Sequence, residues 1–322
     1  MAKYRKKKGP ARPIAIACSD IHLSHTPPIS RSAEPDWYGL QRRYLDEIKG
    51  ICDDHGVPLL IAGDLFHTPN PPPALINLAI QHLPQDVYAV AGQHDLFHHN
   101  PESFAETAYG TLVLGERIAH VTPDGMRGQF LNDANIYGAS WGQELKPAHP
   151  DGRLQILLAH KFCYFPGDNP FPGVDPNQTA WDYADELIKL RYDVAFFGDH
   201  HHDFIYWADG VPLVVNCGSV ILRPSNERDR MPKVYKLFED GTVESIPLKS
   251  VEQDVWLDEG EVGNKNILPS EVSEFVQALR DVHDDNLLSF EDVLLNYILR
   301  HRPSEAVRVL LLKSIGRYNE RG

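Results

Sequence analysis

Five short elements carry residues that could bind metal and move protons: Asp20-Ile21-His22, Gly63-Asp64, Gly92-Gln93-His94-Asp95, His160, and Gly198-Asp199-His200-His201. Each follows a short apolar run. Mixed carboxylate and imidazole donors suit manganese, iron or zinc better than calcium. Two such ions, about 3.5–4 Å apart, can share one carboxylate, activate a water and clamp the oxygens of an in-line displacement at phosphorus. Asp64 is the candidate for the shared carboxylate. A polar residue at a strand end is common, so no element decides alone; the five in this order point to a dinuclear phosphoesterase centre.

These residues need strands whose ends converge. Ile14–Cys18, Leu59–Ala62, Val87–Ala91, Leu154–Ala159 and Val194–Phe197 are apolar runs of strand length, suited to strands covered on both faces. Carboxyl ends of such strands are where α/β sheets build their sites. Helical spacing links Leu40, Tyr44, Ile48, Ile51 and Cys52, and helices are also expected from Pro69–Pro73 to about Leu83 and from about Ala180 to Leu190. The βαβαβ rhythm favours an α/β class with parallel pairing. Further β-like runs are Ile118–Val121, Gln129–Leu131, Asn135–Tyr137, Phe204–Trp207, Leu213–Val215, Lys233–Leu237 and Thr242–Ile246, the last two flanking the hairpin signal Asp240-Gly241. The Pro/Gly loop from Pro166 to Asn177 is long enough to expect a functional role. Phe165, Phe171 and Trp181 beside it could pack or stack on bases.

The chain of 322 residues, 42% hydrophobic, can bury one large domain plus a smaller appendage. No apolar run reaches the ~18 residues of a membrane helix. Cys18, Cys52, Cys163 and Cys217 form no C-x-x-C pair, so a reduced, cytoplasmic protein without disulfides is expected. The formal net charge is −14, although the first twelve residues hold six Lys/Arg and no acid. An acidic body repels nucleic acid in general, but bound dications reverse the sign locally. The segments expected are a basic flexible tail over 1–12, a domain over 13–250, an acidic linker over 251–268 and a helical region over 269–322. That region would cap the site, bind a partner or pair two protomers.

Gly63-Asp64-Leu65-Phe66-His67 followed by Pro69, and Asn216-Cys217-Gly218-Ser219-Val220 with Arg223 and Pro232-Lys233-Val234-Tyr235, carry a resemblance. Over residues 14–247 the chain resembles the calcineurin-like metallophosphoesterases. More narrowly it resembles their DNA-repair nuclease branch: bacterial SbcD, the eukaryotic and archaeal double-strand-break nuclease subunit, and bacteriophage relatives. The resemblance implies a four-layer αββα sandwich of two mixed β-sheets. It implies a manganese-dependent DNA exonuclease or endonuclease, with magnesium, iron or zinc as other ions. DNA, an SbcC-like SMC-family ATPase or a second copy of the chain would be partners, in a bacterium or a phage-infected host. Asp20, His22, Asp64 and His201 would hold the first ion, and Asp64, Gln93, His160 and Asp199 the second. His94 would be the general acid and His67 a phosphate contact. His98, His99 and Arg223 would touch substrate.

Two positions depart from the family pattern, which has Asn where Gln93 stands and Gly-His-x-His where this chain has Gly198-Asp199-His200-His201. A register using His200 and His202 is the alternative to Asp199 and His201. The acidic body leaves open a phosphatase or small-nucleotide phosphodiesterase on the same fold, and the altered ligands leave open a non-catalytic scaffold.

Overall fold

The computed structural model describes residues 11–127, 134–168 and 174–257. In chain order the strands of its first half are β1 (Pro13–Cys18), β2 (Leu59–Ile61), β3 (Val87–Ala89), β4 (Ala119–His120), β5 (Met126–Arg127) and β6 (Ala134–Ala139). Those of the second are β7 (Leu154–His160), β8 (Val194–Gly198), β9 (Phe204–Tyr206), β10 (Leu213–Asn216), β11 (Lys233–Phe238) and β12 (Val243–Pro247). They form two mixed six-stranded sheets, ordered β12-β11-β1-β2-β3-β4 and β5-β6-β7-β8-β10-β9. Both are parallel at the centre: β1 with β2, β2 with β3, β6 with β7 and β7 with β8. This is the two-sheet α/β architecture expected.

Strand alternation sorts the apolar runs into layers. In β2, Leu59 and Ile61 face outward to α1 (Trp37–His55), α2 (Pro73–His82) and α3 (Ala108–Leu114), meeting Leu40, Tyr44, Leu75 and Leu112. Leu60 and Ala62 face inward. In β7, Ile156 and Leu158 meet them from the other sheet. Leu157 and Ala159 face outward to Tyr183, Ala184 and Leu187 of α4 (Ala180–Leu190). A strand buried on both faces reads as an unbroken apolar run for this reason.

Helix ends follow local chemistry. The Asp36 carboxylate accepts from the Gly39 N–H to open α1, and Gly56 closes it in the left-handed region at φ 61°. Thr179 and Asp182 cap α4 reciprocally. The short α3, opened by Thr107, has no clear helical period in the sequence. The β-like run Gln129–Leu131, Phe171, most of the basic tail and everything beyond 257 lie outside the described residues.

Residues 251–257, read from sequence as the start of a linker, are docked on the domain. Fully buried Arg31 donates from Nη1 to the Leu222 carbonyl at 2.7 Å and pairs with Asp254 Oδ2 at 3.1 Å. Its Nε donates to the Val255 carbonyl, and its guanidinium lies 4.4 Å from the Trp256 ring centroid. The acidity of this stretch serves a buried arginine rather than a solvated connection.

A second polar clamp ties the sheets together near the carboxyl strand ends. Asp203, between β8 and β9, receives Lys233 Nζ at 2.7 Å, the Tyr235 hydroxyl at 3.1 Å and Arg230 Nη2 at 3.0 Å. Lys233 and Tyr235 lie on β11 of the other sheet. Burial pushes the Asp203 carboxyl up, but Lys233 and Arg230 outweigh it and hold it below its ordinary value. A folded-state value below the unfolded one gives stabilisation that is present above the unfolded carboxylate range and lost as pH falls through the folded value. Asp203→Asn is expected to cost about 1.5–3 kcal/mol at pH 7. The gap to the unsubstituted protein should close as the solution is acidified below about pH 4. Urea unfolding at a series of pH values checks this; a gap that stays constant to about pH 3, below the ordinary carboxylate value, would contradict it.

Candidate metal centre

Four residues at the carboxyl strand ends hold a backbone that side chains rarely adopt: Asp20 (φ 51°), His22 (φ 50°), Asp64 (φ 52°) and Asp199 (φ 84°). Left-handed geometry at non-glycine residues costs about 1–3 kcal/mol each and persists where surrounding structure imposes it. Here interlocking turns impose it. Asp20 N–H donates to the Gly63 carbonyl, His22 N–H to that of Asp64, and Val220 N–H to that of Asp20. Gly92 is needed for space, since a Cβ there would collide with the Asp64 carboxylate.

The turns bring the chemistry together. Asp64 Oδ2 lies 3.6 Å from His22 Nε2 and 3.4 Å from His160 Nε2, between two donor sets. On one side Asp20 Oδ1 is 3.7 Å from His22 Nε2 and 3.9 Å from His201 Nε2, and the two Nε2 atoms are 3.3 Å apart. On the other stand His160, Gln93 and Asp199. His160 Nδ1 faces the Ala62 carbonyl at 2.6 Å, leaving Nε2 to the interior. Asp20-His22-His201 and Asp20-Asp64-His160 each gather donor atoms within 4.8 Å of one another.

Electrostatics fit cations. Asp64 Oδ2, His160 Nε2 and Gln93 Oε1 are buried without a hydrogen-bond partner, a costly state unless something positive meets them. Burial pushes His160 down, but Asp64 outweighs it and holds the imidazole up at about 10. Burial raises Asp64, yet His160 and His22 keep it below the usual carboxylate range. Asp20 is pushed up by burial to about 6. Metal binding at such donors is coupled to their loss of protons.

The departures at Gln93 and Asp199 turn out to be partners: Gln93 Nε2 donates to Asp199 Oδ1 at 2.6 Å. The longer amide arm reaches the shorter carboxylate, leaving Gln93 Oε1 and one Asp199 oxygen for an ion. His94 and His67 stack with centroids 5.1 Å apart and planes 16° from parallel, both edge-on to His22. Burial, then the neighbouring Arg223, push His67 down to about 4. Its fixed place derives from Asp95, which accepts from Leu65 N–H and Phe66 N–H.

The remaining candidates divide. His99 is exposed, with its ring 6.5 Å from that of His94. His98 is exposed, and no described contact ties it to the centre. Arg223 turns inward, its Nη1 donating to Ser24 Oγ at 2.7 Å and to the His22 carbonyl at 3.4 Å. His200 is buried, stacked on His202 and tilted against Phe162, and faces away from the donor cluster. Phe165 packs on Phe204, and Trp181 is exposed.

Sequence reading named Asn216 only as part of a motif, without its role, and missed Glu227. Asn216 Nδ2 donates to the carbonyls of His200 and His202, which fixes the turn carrying His201. Glu227 is 2% exposed, with Oε1 3.2 Å from His201 Nδ1 and Oε2 accepting from Arg223 N–H. It holds the Nδ1 hydrogen and so turns the Nε2 lone pair toward Asp20 and His22. Nothing in the loop sequence around it signals this role.

Against known proteins, the family model described as Calcineurin-like phosphoesterase matches residues 15–203. No curated protein sequence matches. Among solved structures, a phosphopantetheinyl hydrolase from Mycobacterium tuberculosis is 15% identical, with a TM-score of 0.39, over 73% of this chain and 96% of its own. A 5'-nucleotidase from Candida albicans is 12% identical, with a TM-score of 0.45, over 77% of this chain and 55% of its own. A protein from Thermus thermophilus is 13% identical, with a TM-score of 0.41, over 74% and 100% respectively. None of these likenesses carries an activity over to this chain.

Two outcomes are expected. Glu227→Gln should weaken uptake of one ion of a pair by about 10–100-fold, read by calorimetric manganese titration; unchanged affinity would remove Glu227 from that role. Gln93→Asn and Asp199→His should each lower manganese affinity, while the double substitution loses less than their sum. Strict additivity would mean the two do not act as a pair.

Proposed function

Because the chain belongs to the calcineurin-like phosphoesterase family, we propose that it hydrolyses phosphodiester bonds in DNA with two divalent cations, manganese foremost. Asp20, His22, Asp64 and His201 would hold one ion, and Asp64, Gln93, His160 and Asp199 the other. Bound cations would neutralise the phosphate and lower the pKa of attacking water.

The observation that carries the diester reading is the stacked His67–His94 pair. A diester carries one negative charge where a monoester carries up to two. A neutral His67 can donate a hydrogen bond to that single charge without a full counter-charge. His94 stands beside it with Nδ1 3.1 Å from the His67 carbonyl. That contact orients the ring so that its other nitrogen can give a proton to the departing alkoxide. Support for DNA comes from the Gly63–His67 and Asn216–Val220 sequences, and an SMC-type ATPase partner belongs to the same reading. Among the described residues no helix is long and apolar enough to cross a membrane.

The net charge of −14 favours a second reading, a small-nucleotide phosphodiesterase or phosphatase. The manganese-loaded chain is expected to degrade linear DNA. His94→Ala should keep its metal but lose about 100-fold or more in rate. Cleavage of mononucleotides or cyclic nucleotides, with single- and double-stranded DNA untouched, would overturn the DNA reading. Undiminished DNA hydrolysis by His94→Ala would overturn the assignment of the acid.

A further inference from the structure

We propose that the cleft beside His160 and Asp199 is a nucleoside subsite, receiving the base and sugar attached to the phosphate under attack. The inference rests on the phosphodiesterase reading. The cleft encloses about 580 Å³, within the range of small-ligand sites. His160 and Asp199, which belong to the candidate metal centre, line it. A phosphate held at the metal centre would therefore direct one ester substituent into it.

The walls suit a flat ring. Trp141 follows β6, and its main-chain N–H donates to the Ala91 carbonyl at 2.9 Å, anchoring it to the segment that carries Gln93 and His94. Its ring stands edge-on to His160 at 6.4 Å and to His99 at 6.3 Å. Phe162, two residues beyond His160, is held from behind by His200 at 4.8 Å. His200 is itself stacked on His202 at 5.2 Å. The histidines passed over as metal donors thus back the aromatic wall. Tyr183 of α4 lines the cleft as well, and Lys161 and Gln178 supply its polar contribution. An amide offers a donor and an acceptor to a base edge, and an ammonium suits a carbonyl or a neighbouring phosphate. A purely apolar ligand would leave both unpaired, and a bare sugar phosphate would make no use of the aromatic walls. A nucleoside uses the whole set.

The test compares two esters on the manganese-loaded full chain: thymidine 5'-(p-nitrophenyl phosphate) and methyl p-nitrophenyl phosphate. In each, water oxygen bonds to phosphorus as the aryl P–O bond breaks, releasing p-nitrophenolate. The unsubstituted protein is expected to favour the nucleoside ester in kcat/KM by about 10-fold or more, since one base stack is worth about 1–3 kcal/mol. Phe162→Leu keeps bulk without a ring face; it and Trp141→Ala should each shrink that preference several-fold, while Trp141→Phe retains most of it. Equal kcat/KM for both esters, or a preference unmoved by either ring removal, overturns the subsite. Release from neither ester by the unsubstituted protein overturns the phosphodiesterase reading instead.

Discussion

One carboxylate oxygen holds the centre together. Asp64 Oδ2 faces His22 Nε2 on one side and His160 Nε2 on the other, at 3.6 and 3.4 Å. Asp64 and His22 stand at the ends of strands in one sheet, and His160 ends a strand of the other. The contact therefore spans the interface between the sheets. The left-handed turns at Asp20, His22 and Asp64, the Cβ-free approach of Gly92, and the inter-sheet clamp at Asp203 all serve to keep that oxygen in place.

Around this point the histidines are set by what their other nitrogens touch. His160 is oriented by a main-chain carbonyl, which no substitution removes. His201 is oriented by Glu227, a side chain. The two donor sets thus differ in how they can be altered, although they share Asp64. On the second side the two positions that depart from the family pattern, Gln93 and Asp199, are hydrogen-bonded to each other.

The sequence was legible where residue type and chain direction were enough. A carboxylate or imidazole after a buried strand declares itself, and the helix expected from about Ala180 to Leu190 is α4. Legibility failed where meaning depends on neighbours. Glu227 sits in an aperiodic loop and matters only because β11 and the Asn216 turn bring it beneath His201. Trp141 and Phe162 share a cleft because β6 and β7 are adjacent parallel strands, which spacing alone does not reveal. Asp254 looked like part of an acidic connection because its partner, Arg31, lies near the opposite end of the domain sequence. Arg223 looked available to substrate, yet its guanidinium is held at Ser24 and His22.

The position of β11 bears on how the molecule is made. β1 lies between β2 and β11, so the earliest of the described strands keeps an open edge during synthesis until β11 has been translated. An open edge is a template for wrong pairing in a nascent chain. His201 and Glu227 are also synthesised late. Vectorial synthesis therefore delays assembly of the first donor set until nearly the whole domain is available, and a prematurely terminated chain would carry Asp20, His22 and Asp64 without the partners that organise them.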